Sequence, residues 1–518
     1  MSLATIKSRA LSALSAPQVT VEVHLSQGLP AFYLVGLPET SVKEAKERVR
    51  SAIINSHFDF PACRITINLA PADLPKDGGR YDLAIALGIL AASAQINASH
   101  LDQFEFIGEL GLAGNLLPVK GIVPVAMANK EANTQAIIAK DNAYEAALVS
   151  DNSLYAEHLL EVCAHLNRRK TLHTCQANHT QAAPFQGDFA EVQGQHQAKR
   201  ALAIAAAGQH NMLFSGPPGC GKSMLAERFA SILPRLTPSE QLEVLSIQSL
   251  TKNISQQTVN RPFRAPHHSA SAVAMVGGGN PPQPGEITLS HLGVLFLDEL
   301  PEYPRGVLEA LREPLENGKV CISRAGHQVE FPADFQLLAA MNPCPCGYFG
   351  STQQACRCTP DAIRRYQQRV SGPLLDRIDL HLQLQATPIQ QIITPSTATE
   401  HSSQVIRQQV EQAQCVALKR QGKSNALLKG QELVEQTQLN SHCKTLLENG
   451  ATQLQLSARA IQKMIKVSRT IADLEHSTEI KDAHILEALS YRQQPVSGAS
   501  PHALQPEGAS TQCYSSLR

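Results

Sequence analysis

A glycine-rich stretch near the middle of the chain has the residue types and spacing of a phosphate-binding loop. It follows the apolar run Met212–Phe214 and opens an Ala/Leu-rich helical pattern, so it connects a strand to a helix. Successive backbone N–H groups of such a loop can point at phosphate oxygens. We predict a nucleoside-triphosphate site formed by Gly216, Pro217, Pro218, Gly219, Cys220, Gly221, Lys222, Ser223 and Met224.

Three residues of this loop have distinct expected roles. Lys222 would bring a cation to the β- and γ-phosphates, and the Ser223 hydroxyl would bind Mg²⁺. Cys220 would contribute only its backbone N–H. The alternative is a Gly/Pro loop that precedes a helix without binding a phosphate.

Polar residues end two further strand patterns. The apolar run Val294–Leu297 leads into Asp298 and Glu299, and Leu337–Met341 leads into Asn342. Sheets in α/β proteins place functional groups at the carboxyl ends of their strands. We expect Asp298 to bind Mg²⁺ through water, Glu299 to polarise the attacking water and Asn342 to orient it. For the acids, the alternative is a solvated turn.

Two Cys-x-Cys pairs lie soon after Asn342. Four thiolates close together in sequence match the ligand count of a closed structural Zn²⁺ site. The alternative is a set of free buried or redox-active cysteines. The pairs are Cys344 with Cys346, and Cys356 with Cys358.

Length and composition predict a soluble protein of several domains. The chain has 518 residues, with Lys+Arg and Asp+Glu balanced at 45 each. A nucleic-acid contact would therefore depend on local basic clusters. The sequence contains no apolar run long enough to span a membrane and no signal-peptide pattern at its start, so we expect a cytoplasmic location. The twelve cysteines should be reduced or metal-bound.

Pattern changes along the chain divide it into five parts of an α/β protein. The boundaries follow a polar Gln/His/Thr-rich segment, a second Gln-rich bridge, and an aperiodic tail that is expected to be disordered. We predict an α/β domain at 1–167, a linker at 168–187, a nucleotide-binding domain with a parallel sheet at 188–385, a helical domain at 386–492 and a tail at 493–518.

Six further short motifs lie along the chain, at 28–30, 35–38, 68–73, 261–269, 342–347 and 374–377. Together with the loop and the polar strand ends, they resemble the magnesium-chelatase-like AAA+ ATPases of the ComM/YifB family, over nearly the whole chain to about residue 492. The resemblance implies a ring-forming, usually hexameric ATPase that uses ATP and Mg²⁺. It also implies DNA helicase activity and branch migration during integration of transforming DNA, with recombination proteins as possible partners.

The resemblance also implies roles for residues outside the loop. Asn342 resembles the sensor-1 residue. Arg377 resembles an arginine finger, the alternative being an ion pair with a neighbouring aspartate. Arg459, at the start of a helix in the C-terminal lid, resembles the sensor-2 arginine, the alternative being a helix-surface charge. Val192 and Gly194 are expected to contact the adenine.

The N-terminal region resembles the Lon-protease-like domain, with a ribosomal-S5-type fold. Arg80 stands where the protease has its serine, and Val123 stands where it has its lysine; Lys120 is three residues away. A guanidinium is not a nucleophile and a valine cannot accept a proton, so we predict no proteolysis. Lys76 and Arg80 on one loop would suit phosphate contact, the alternative being a solvated basic turn.

Two further segments resemble pore elements of ring helicases. Residues 261–285 resemble the helix-2 insert, and Val320–Phe331 alternates like a β-hairpin and resembles the pre-sensor-1 hairpin. Arg324, then Lys319 and Arg264, are the candidate contacts to single-stranded or branched DNA in a sequence-independent grip. The alternative is a solvated basic hairpin.

Two rival functions use the same nucleotide site. One is the motor subunit of a magnesium chelatase, which would work through a partner subunit. The other is an ATP-gated assembly scaffold or chaperone ring. Stimulation of turnover by DNA would separate the DNA motor from both.

Overall fold

The computed structural model describes the chain in segments separated by gaps. The described residues are 3–36, 44–74, 76–176, 187–251, 260–279, 282–324, 327–351, 354–386 and 402–492. The predicted tail, half of the predicted linker (177–186) and the side chain of Arg324 lie outside them. The predicted domain boundaries stay predictions.

Strands are concentrated before residue 385. In chain order they are β1 (Leu3–Arg9), β2 (Gln18–Ser26), β3 (Ala31–Val35), β4 (Arg64–Ala70), β5 (Phe104–Phe106), β6 (Glu109–Leu110), β7 (Leu116–Leu117), β8 (Gln135–Ala139), β9 (Leu154–Ala156), β10 (His173–Thr174), β11 (Met212–Ser215), β12 (Phe263–Arg264), β13 (Gly277–Gly278), β14 (Gln283–Pro284), β15 (Val294–Leu297), β16 (Lys319–Arg324), β17 (His327–Pro332), β18 (Gln336–Met341) and β19 (Leu380–Gln383).

Helices occur throughout and are the regular elements that follow residue 402 in the described residues. In chain order they are α1 (Ala45–Asn55), α2 (Asp82–Ala92), α3 (Ile122–Ala132), α4 (Ala143–Ala147), α5 (Leu159–Leu166), α6 (His196–Gly208), α7 (Lys222–Phe229), α8 (Pro238–Thr251), α9 (Ala272–Val276), α10 (Glu286–Leu289), α11 (Arg305–Ala310), α12 (Arg312–Asn317), α13 (Pro360–Gln367), α14 (Gly372–Leu375), α15 (Ser403–Gln421), α16 (Gly430–Thr437), α17 (Ser441–Gln453), α18 (Ala458–Leu474) and α19 (Asp482–Ser490).

The N-terminal region is built on a mixed eight-stranded sheet with the order β10-β9-β8-β5-β1-β2-β4-β3. The apolar helix α2 packs on β1 and β2 and is buried along its whole length. Gly88 permits this close approach, because a Cβ at that position would lie 2.5 Å from Val23 Cγ2. Helix α2 is therefore the centre of the N-terminal core.

The polar segment after α5 begins inside this sheet. His173 and Thr174 form the edge strand β10, which pairs antiparallel with β9, and Cys175 is fully buried. The sequence predicts a linker here because the segment has few large apolar residues. Backbone pairing at a sheet edge needs no apolar side chains, so composition did not reveal the strand.

The central region contains a five-stranded parallel sheet with the order β12-β15-β18-β11-β19. Strands β15 and β18 are buried at every residue. Continuous apolar strands of this kind are typical of parallel sheets covered on both faces. The mixed α/β fold with a parallel sheet, an N-terminal α/β region and C-terminal helices confirms the predicted fold class.

Two segments that the sequence assigns to pore elements extend from this sheet. The segment 261–285 begins with β12, which pairs with β15 as an edge strand, and continues through α9 to the short ribbon of β13 and β14. Strands β16 and β17 pair antiparallel from Lys319 opposite Pro332 to Arg324 opposite His327. The predicted hairpin is therefore present.

Contacts join the three regions. The C-terminal helices α15 and α18 pack on α6, which also contacts β19. On the other side, α3 of the N-terminal region packs on α8, where Gly121 donates its N–H to the Ser249 carbonyl at 2.9 Å. Among the described residues, no helix is long and apolar enough to cross a membrane.

Candidate nucleotide site

The glycine-rich loop lies at the carboxyl end of an inner strand. Strand β11 pairs with β18 on one side and β19 on the other, and α7 begins at Lys222. Gly219 and Gly221 have φ values of +75° and +89°, which favour glycine because a Cβ is strained there. The loop therefore turns sharply between strand and helix, as the motif predicts.

The Lys222 amino group joins the loop to the neighbouring strand. Its Nζ donates to the carbonyls of Gly216 at 2.7 Å and Pro217 at 3.0 Å, and to Asn342 Oδ1 at 3.1 Å. Asn342 directly follows β18, which is paired with β11. The sheet thus brings together two predicted site residues that are 120 positions apart in sequence.

The predicted Mg²⁺ ligands also meet. Ser223 Oγ donates to Asp298 Oδ2 at 2.7 Å, from the start of α7 to the end of β15. The other carboxylate oxygen of Asp298 accepts the Glu299 backbone N–H at 2.9 Å. Hydroxyl and carboxylate oxygens are the ligand types that Mg²⁺ prefers, so this pair fits the ion.

Glu299 adopts a backbone conformation that is unusual for its residue type. Its φ is +52°, in the left-handed region, which costs a non-glycine residue about 1 kcal/mol or more. Such strain is often found where a side chain must point in one functional direction. The Glu299 side chain is 54% exposed, so water can reach the carboxylate.

A histidine that the sequence did not connect with Glu299 lies beside it. His268 Nδ1 is 3.3 Å from Glu299 Oε2. The segment is anchored by Tyr303, whose hydroxyl donates to the Pro266 carbonyl at 2.5 Å. Residues 261–285 therefore reach the predicted catalytic carboxylate directly.

The segment before α6 lies against the loop, as expected for an adenine-contacting region. Val192 is buried in the same apolar cluster as Cys220, and Gly194 has a φ of +64°. Gln195 ends the segment Phe189–Gln195 that is expected to contact the adenine, and its Nε2 donates to the Gln385 carbonyl at 2.9 Å and the Cys220 carbonyl at 3.4 Å.

The side chains of Cys220 and Met224 point to different environments. Cys220 is buried, and burial raises the pKa of its thiol, consistent with a structural side chain. Met224 is 45% exposed on the first turn of α7.

The two candidate arginines share one carboxylate. Arg377 Nη2 lies 2.7 Å from Glu316 Oε1, and Arg459 Nη2 lies 3.3 Å from the same oxygen. Arg377 also donates from Nη1 to the Pro373 carbonyl at 2.7 Å, while its Nε is buried without a partner. The sequence left open an ion pair of Arg377 with a neighbouring aspartate; the partner in the structure is Glu316, at the end of α12.

The four cysteines converge as the sequence predicts for a metal site. Three sulfur–sulfur distances are 3.4 Å for Cys344–Cys346, 3.6 Å for Cys344–Cys356 and 3.5 Å for Cys346–Cys356. All four sulfurs, including that of Cys358, lie within 4.8 Å of one another. A tetrahedral Zn²⁺ with Zn–S bonds of about 2.3 Å spaces its sulfurs about 3.8 Å apart. The donor set therefore fits zinc.

One thiol of this cluster is prepared for ionisation. Backbone hydrogen bonds from Tyr348 and Arg357 lower the pKa of Cys346 to about 6. Burial acts in the opposite direction on Cys356 and raises its pKa to about 12. Closely spaced thiolates repel one another, so all four ionise together only around a cation.

Comparisons with known proteins identify the family of the chain. Models described as magnesium chelatase, subunit ChlI, match residues 188–392, 21–142 and, for its C-terminal part, 400–492. The chain is 51% identical over 500 residues to the competence protein ComM of Haemophilus influenzae, covering 95% of this chain and 98% of that protein. The chain belongs to the magnesium-chelatase-like ComM/YifB family.

Other relatives show how far the family similarity extends. The uncharacterized protein YifB of Escherichia coli is 48% identical over 495 residues, covering 95% of this chain and 97% of YifB. The magnesium-chelatase 67 kDa subunit of Chlorobaculum parvum is 27% identical over 157 residues, which is 30% of this chain and 23% of that subunit. Membership of this AAA+ family indicates an ATPase that uses a nucleotide and Mg²⁺.

The residues that correspond to the protease active site in the predicted resemblance are buried. Lys76 is fully buried and donates to the Pro71 carbonyl, and Arg80 is 5% exposed and donates from Nη2 to the Lys120 carbonyl at 3.0 Å. Val123 is also fully buried. The predicted phosphate contact by Lys76 and Arg80 is therefore wrong, because both cations point into the N-terminal region and bond its backbone.

The candidate DNA-contacting cations differ in their surroundings. Arg264 lies on β12 and forms two bonds to the Glu286 carboxylate, at 2.6 and 2.7 Å. Lys319 is paired across the hairpin with Glu330 at 2.6 Å. Arg324 is the last residue of β16, where its backbone pairs with His327 of β17. The DNA role of these residues stays a prediction.

Proposed function

We propose that this chain is a ring-forming ATPase that couples ATP hydrolysis to movement on DNA. Within that class we propose helicase and branch-migration activity during integration of transforming DNA. The convergence of Lys222, Ser223, Asp298 and Asn342 supports the ATPase part. The similarity to a competence protein over nearly the whole chain supports the DNA part.

In the proposed nucleotide site, residues from different elements bind the phosphates, the Mg²⁺ and the adenine. The loop N–H groups and Lys222 bind the β- and γ-phosphates, replacing the carbonyl partners that Lys222 now has. Ser223 and Asp298 hold Mg²⁺, which neutralises charge that develops on the phosphate oxygens. Val192 and Gly194 contact the adenine from the segment before α6.

Hydrolysis requires a positioned water. Glu299 accepts a hydrogen bond from it and increases its nucleophilicity. Asn342 orients the same water from the end of β18 while it keeps Lys222 in place. The strained backbone of Glu299 fixes the direction of its carboxylate.

A neighbouring copy of the chain completes the site in this proposal. Charge spreads over the γ-phosphoryl oxygens in the transition state and is stabilised by a cation. Arg377 supplies that cation to the adjoining protomer of a homo-hexamer, and Arg459 takes the role of the sensor-2 arginine. Their shared partner Glu316 keeps both guanidinium groups together, with the Arg459 side chain 61% exposed and the Arg377 side chain 13% exposed.

The DNA grip is proposed to come from the hairpin of β16 and β17. One cation per hairpin, repeated around a ring, would bind a phosphate backbone without reading its sequence. Arg324 is the first candidate, followed by Lys319 and Arg264. A cytoplasmic location and contacts with recombination proteins are parts of the same proposal.

We also propose a structural Zn²⁺ bound by Cys344, Cys346, Cys356 and Cys358. The sulfur spacing supports it. Elemental analysis of the purified full chain should find about one zinc per chain, as expected for four thiolate ligands. A folded protein purified without any bound metal would contradict this assignment.

A magnesium-chelatase motor is the second candidate. It is supported by the family models and by the similarity to a magnesium-chelatase subunit, which covers 30% of this chain. A chelatase motor would be stimulated by chelatase partner subunits and not by DNA. An assembly scaffold would be stimulated by neither.

The proposed function is tested by measuring ATP turnover and strand displacement on the full chain. Forked and four-way-junction DNA should increase turnover, and ATP but not a non-hydrolysable analogue should support strand displacement. The Lys222→Ala chain serves as the control without a functional site. If none of the DNA structures changed the rate of ATP turnover, the proposed movement on DNA would be contradicted, while the proposed ATPase activity would stand.

A further inference from the structure

The four-cysteine loop, defined as residues 344–351 and 354–358, contacts the phosphate loop. Gly347 has a φ of +84°, and a Cβ at this position would come within 2.6 Å of Pro218 Cδ and 2.9 Å of Pro218 Cγ. The Gly347 backbone is therefore in contact with the Pro218 ring. A residue of the metal-binding loop thus supports the middle of the nucleotide-binding loop.

The same two loops enclose a cavity of about 110 Å³. Gly216 and Pro217 line it from the phosphate loop, and Pro343 and 349–351 line it from around the cysteines. Gln383, the last residue of β19, and the following residues 384–386 complete the wall. Any change in the shape of the four-cysteine loop would therefore alter a surface shared with the start of the phosphate loop.

A third connection runs through Asn342. Asn342 is two residues before Cys344, and its Oδ1 accepts from Lys222 Nζ at 3.1 Å. Gln367 Nε2 bonds the intervening Pro343 carbonyl at 3.0 Å. The first cysteine is therefore linked by a short, hydrogen-bonded stretch to the residue that contacts the catalytic lysine.

The loop depends on its sulfurs for its shape. Its described residues contain no helix or strand; 352 and 353 lie outside the description. Its bonds include Phe349 N–H to Cys344 Sγ at 3.3 Å and Gly347 N–H to the Cys344 carbonyl at 2.9 Å. A loop organised around thiolates takes much of its folding free energy from the metal.

We propose that the metal at the four cysteines holds the phosphate loop in its binding shape, so that nucleotide affinity and turnover depend on metal occupancy. The proposal rests on the nucleotide site proposed above and adds that nucleotide binding requires a metal ion bound at the four cysteines. Metal loss releases Gly347 from Pro218 and Asn342 from Lys222. A displacement of about 1 Å at a reacting group can lower turnover about 10²-fold.

The first experiment removes and restores the metal. The full chain is treated with 1,10-phenanthroline, which extracts zinc, and binding of a fluorescent non-hydrolysable ATP analogue is measured with Mg²⁺ present. Affinity should fall at least tenfold and return when Zn²⁺ alone is added back. Unchanged affinity after zinc has been extracted would overturn the proposal.

The second experiment uses variants whose metal content differs. The double change Cys346→Ser and Cys358→Ser should remove zinc and weaken analogue binding, and Cys415→Ser, an exposed cysteine on α15, should do neither. Gly347→Ala should retain zinc and still weaken binding, because the added methyl displaces Pro218. Zinc-loaded Gly347→Ala that binds as tightly as the parent would contradict the proposed contact.

These outcomes are separable from failure of the nucleotide site itself. If the zinc-loaded parent chain and Lys222→Ala bind the analogue equally weakly, the proposed function fails. If the parent binds and Lys222→Ala does not, while metal removal changes nothing, only the metal coupling fails. Circular dichroism at each step identifies a variant that has unfolded, and for such a variant the phenanthroline experiment decides.

Discussion

Two lysines in glycine-containing loops show how the surroundings decide what a motif does. Lys222 is half-buried and donates to Asn342 at the end of β18, and the adjacent Ser223 donates to Asp298 at the end of β15. Lys76 is fully buried and bonds a backbone carbonyl of its own loop. Both sequences suggested a phosphate contact, and only the first loop has the accessible polar groups that such a contact requires.

The difference originates in the sheets. In the parallel central sheet, the carboxyl ends of β11, β15 and β18 meet at one edge, so that polar residues far apart in sequence converge. The loop that contains Lys76 instead packs inside the N-terminal region, where Arg80 bonds the Lys120 carbonyl next to the contact with α8. Lys76 and Arg80 bond backbone carbonyls inside the N-terminal region, whereas Lys222 lies at the proposed nucleotide site.

The largest expected effect concerns Glu299. Glu299→Gln keeps the side-chain size and loses the carboxylate, so turnover should fall by about 10²- to 10⁴-fold, the usual contribution of a general base. Binding of ATP should persist and assembled rings should accumulate. Single-turnover kinetics give the test, and hydrolysis at the parent rate would remove Glu299 from its proposed role.

A matched pair of lysine changes tests the comparison itself. Lys222→Ala should weaken nucleotide binding by about 10²-fold or more, because it removes a charged donor from the phosphates. Lys76→Ala should leave binding unchanged and lower the free energy of unfolding by about 1–3 kcal/mol, because the Pro71 carbonyl loses its donor. Titration calorimetry and urea unfolding measure the two quantities. If both variants lost nucleotide binding equally, the claim that only the Lys222 loop binds the nucleotide would be contradicted.

Acid should change the stability of the two regions in opposite directions. Burial lowers the pKa of His210 from 6.5 to about 4, with Asp379 opposing and Lys466 and Lys463 adding to the shift. The unfolded chain then binds a proton that the folded one does not, so stability falls from pH 6.5 towards pH 4, by at most about 3 kcal/mol. Burial raises the pKa of Asp82 in α2 from 3.8 to about 6, which has the opposite sign.

Hydrogen exchange, corrected for the intrinsic pH dependence, measures this contrast. Protection should fall on acidification in α18, where Thr470 bonds His210, before it falls in α2. His210→Gln should reduce the pH dependence of α18. Earlier acid opening of α2 would show that the sign assigned to one of the two groups is wrong.

The smallest expected effect concerns the hairpin. Arg324→Ala should lower the slope of the logarithm of DNA affinity against the logarithm of salt concentration by about 1, as expected for one phosphate contact. Lys319→Ala should change it less, because Lys319 is already paired with Glu330. Affinity measured at several salt concentrations gives both slopes. An unchanged slope for Arg324→Ala would exclude the hairpin from the DNA grip.

Much of the fold and candidate site follows from local sequence. The buried runs that became β11, β15 and β18, and the loop between β11 and α7, were predicted because their apolar and glycine patterns are local signals. Their convergence could be expected because parallel strands end at one edge. The four-cysteine cluster was also predicted, because the two Cys-x-Cys pairs lie close together in sequence and four thiolates match the ligand count of a zinc site.

Other features depend on contacts that no local pattern encodes. Glu316, which binds both Arg377 and Arg459, lies in an ordinary charged helix. His268 meets Glu299 only because β12 pairs with β15 at the sheet edge. The burial of Lys76 and Arg80 was not predicted, because the composition of a basic loop does not indicate whether the loop is exposed to solvent or buried.

The central claim is that the residues gathered at the edge of the central sheet cleave ATP only when Arg377 of an adjoining copy completes the site. The most direct test mixes Lys222→Ala chains, which lack a functional loop, with Arg377→Ala chains, which lack the donated cation. Each variant alone should be inactive, and the mixture should regain part of the parent ATP turnover. A mixture that stays as inactive as its components, although the two variants co-assemble, would contradict the account.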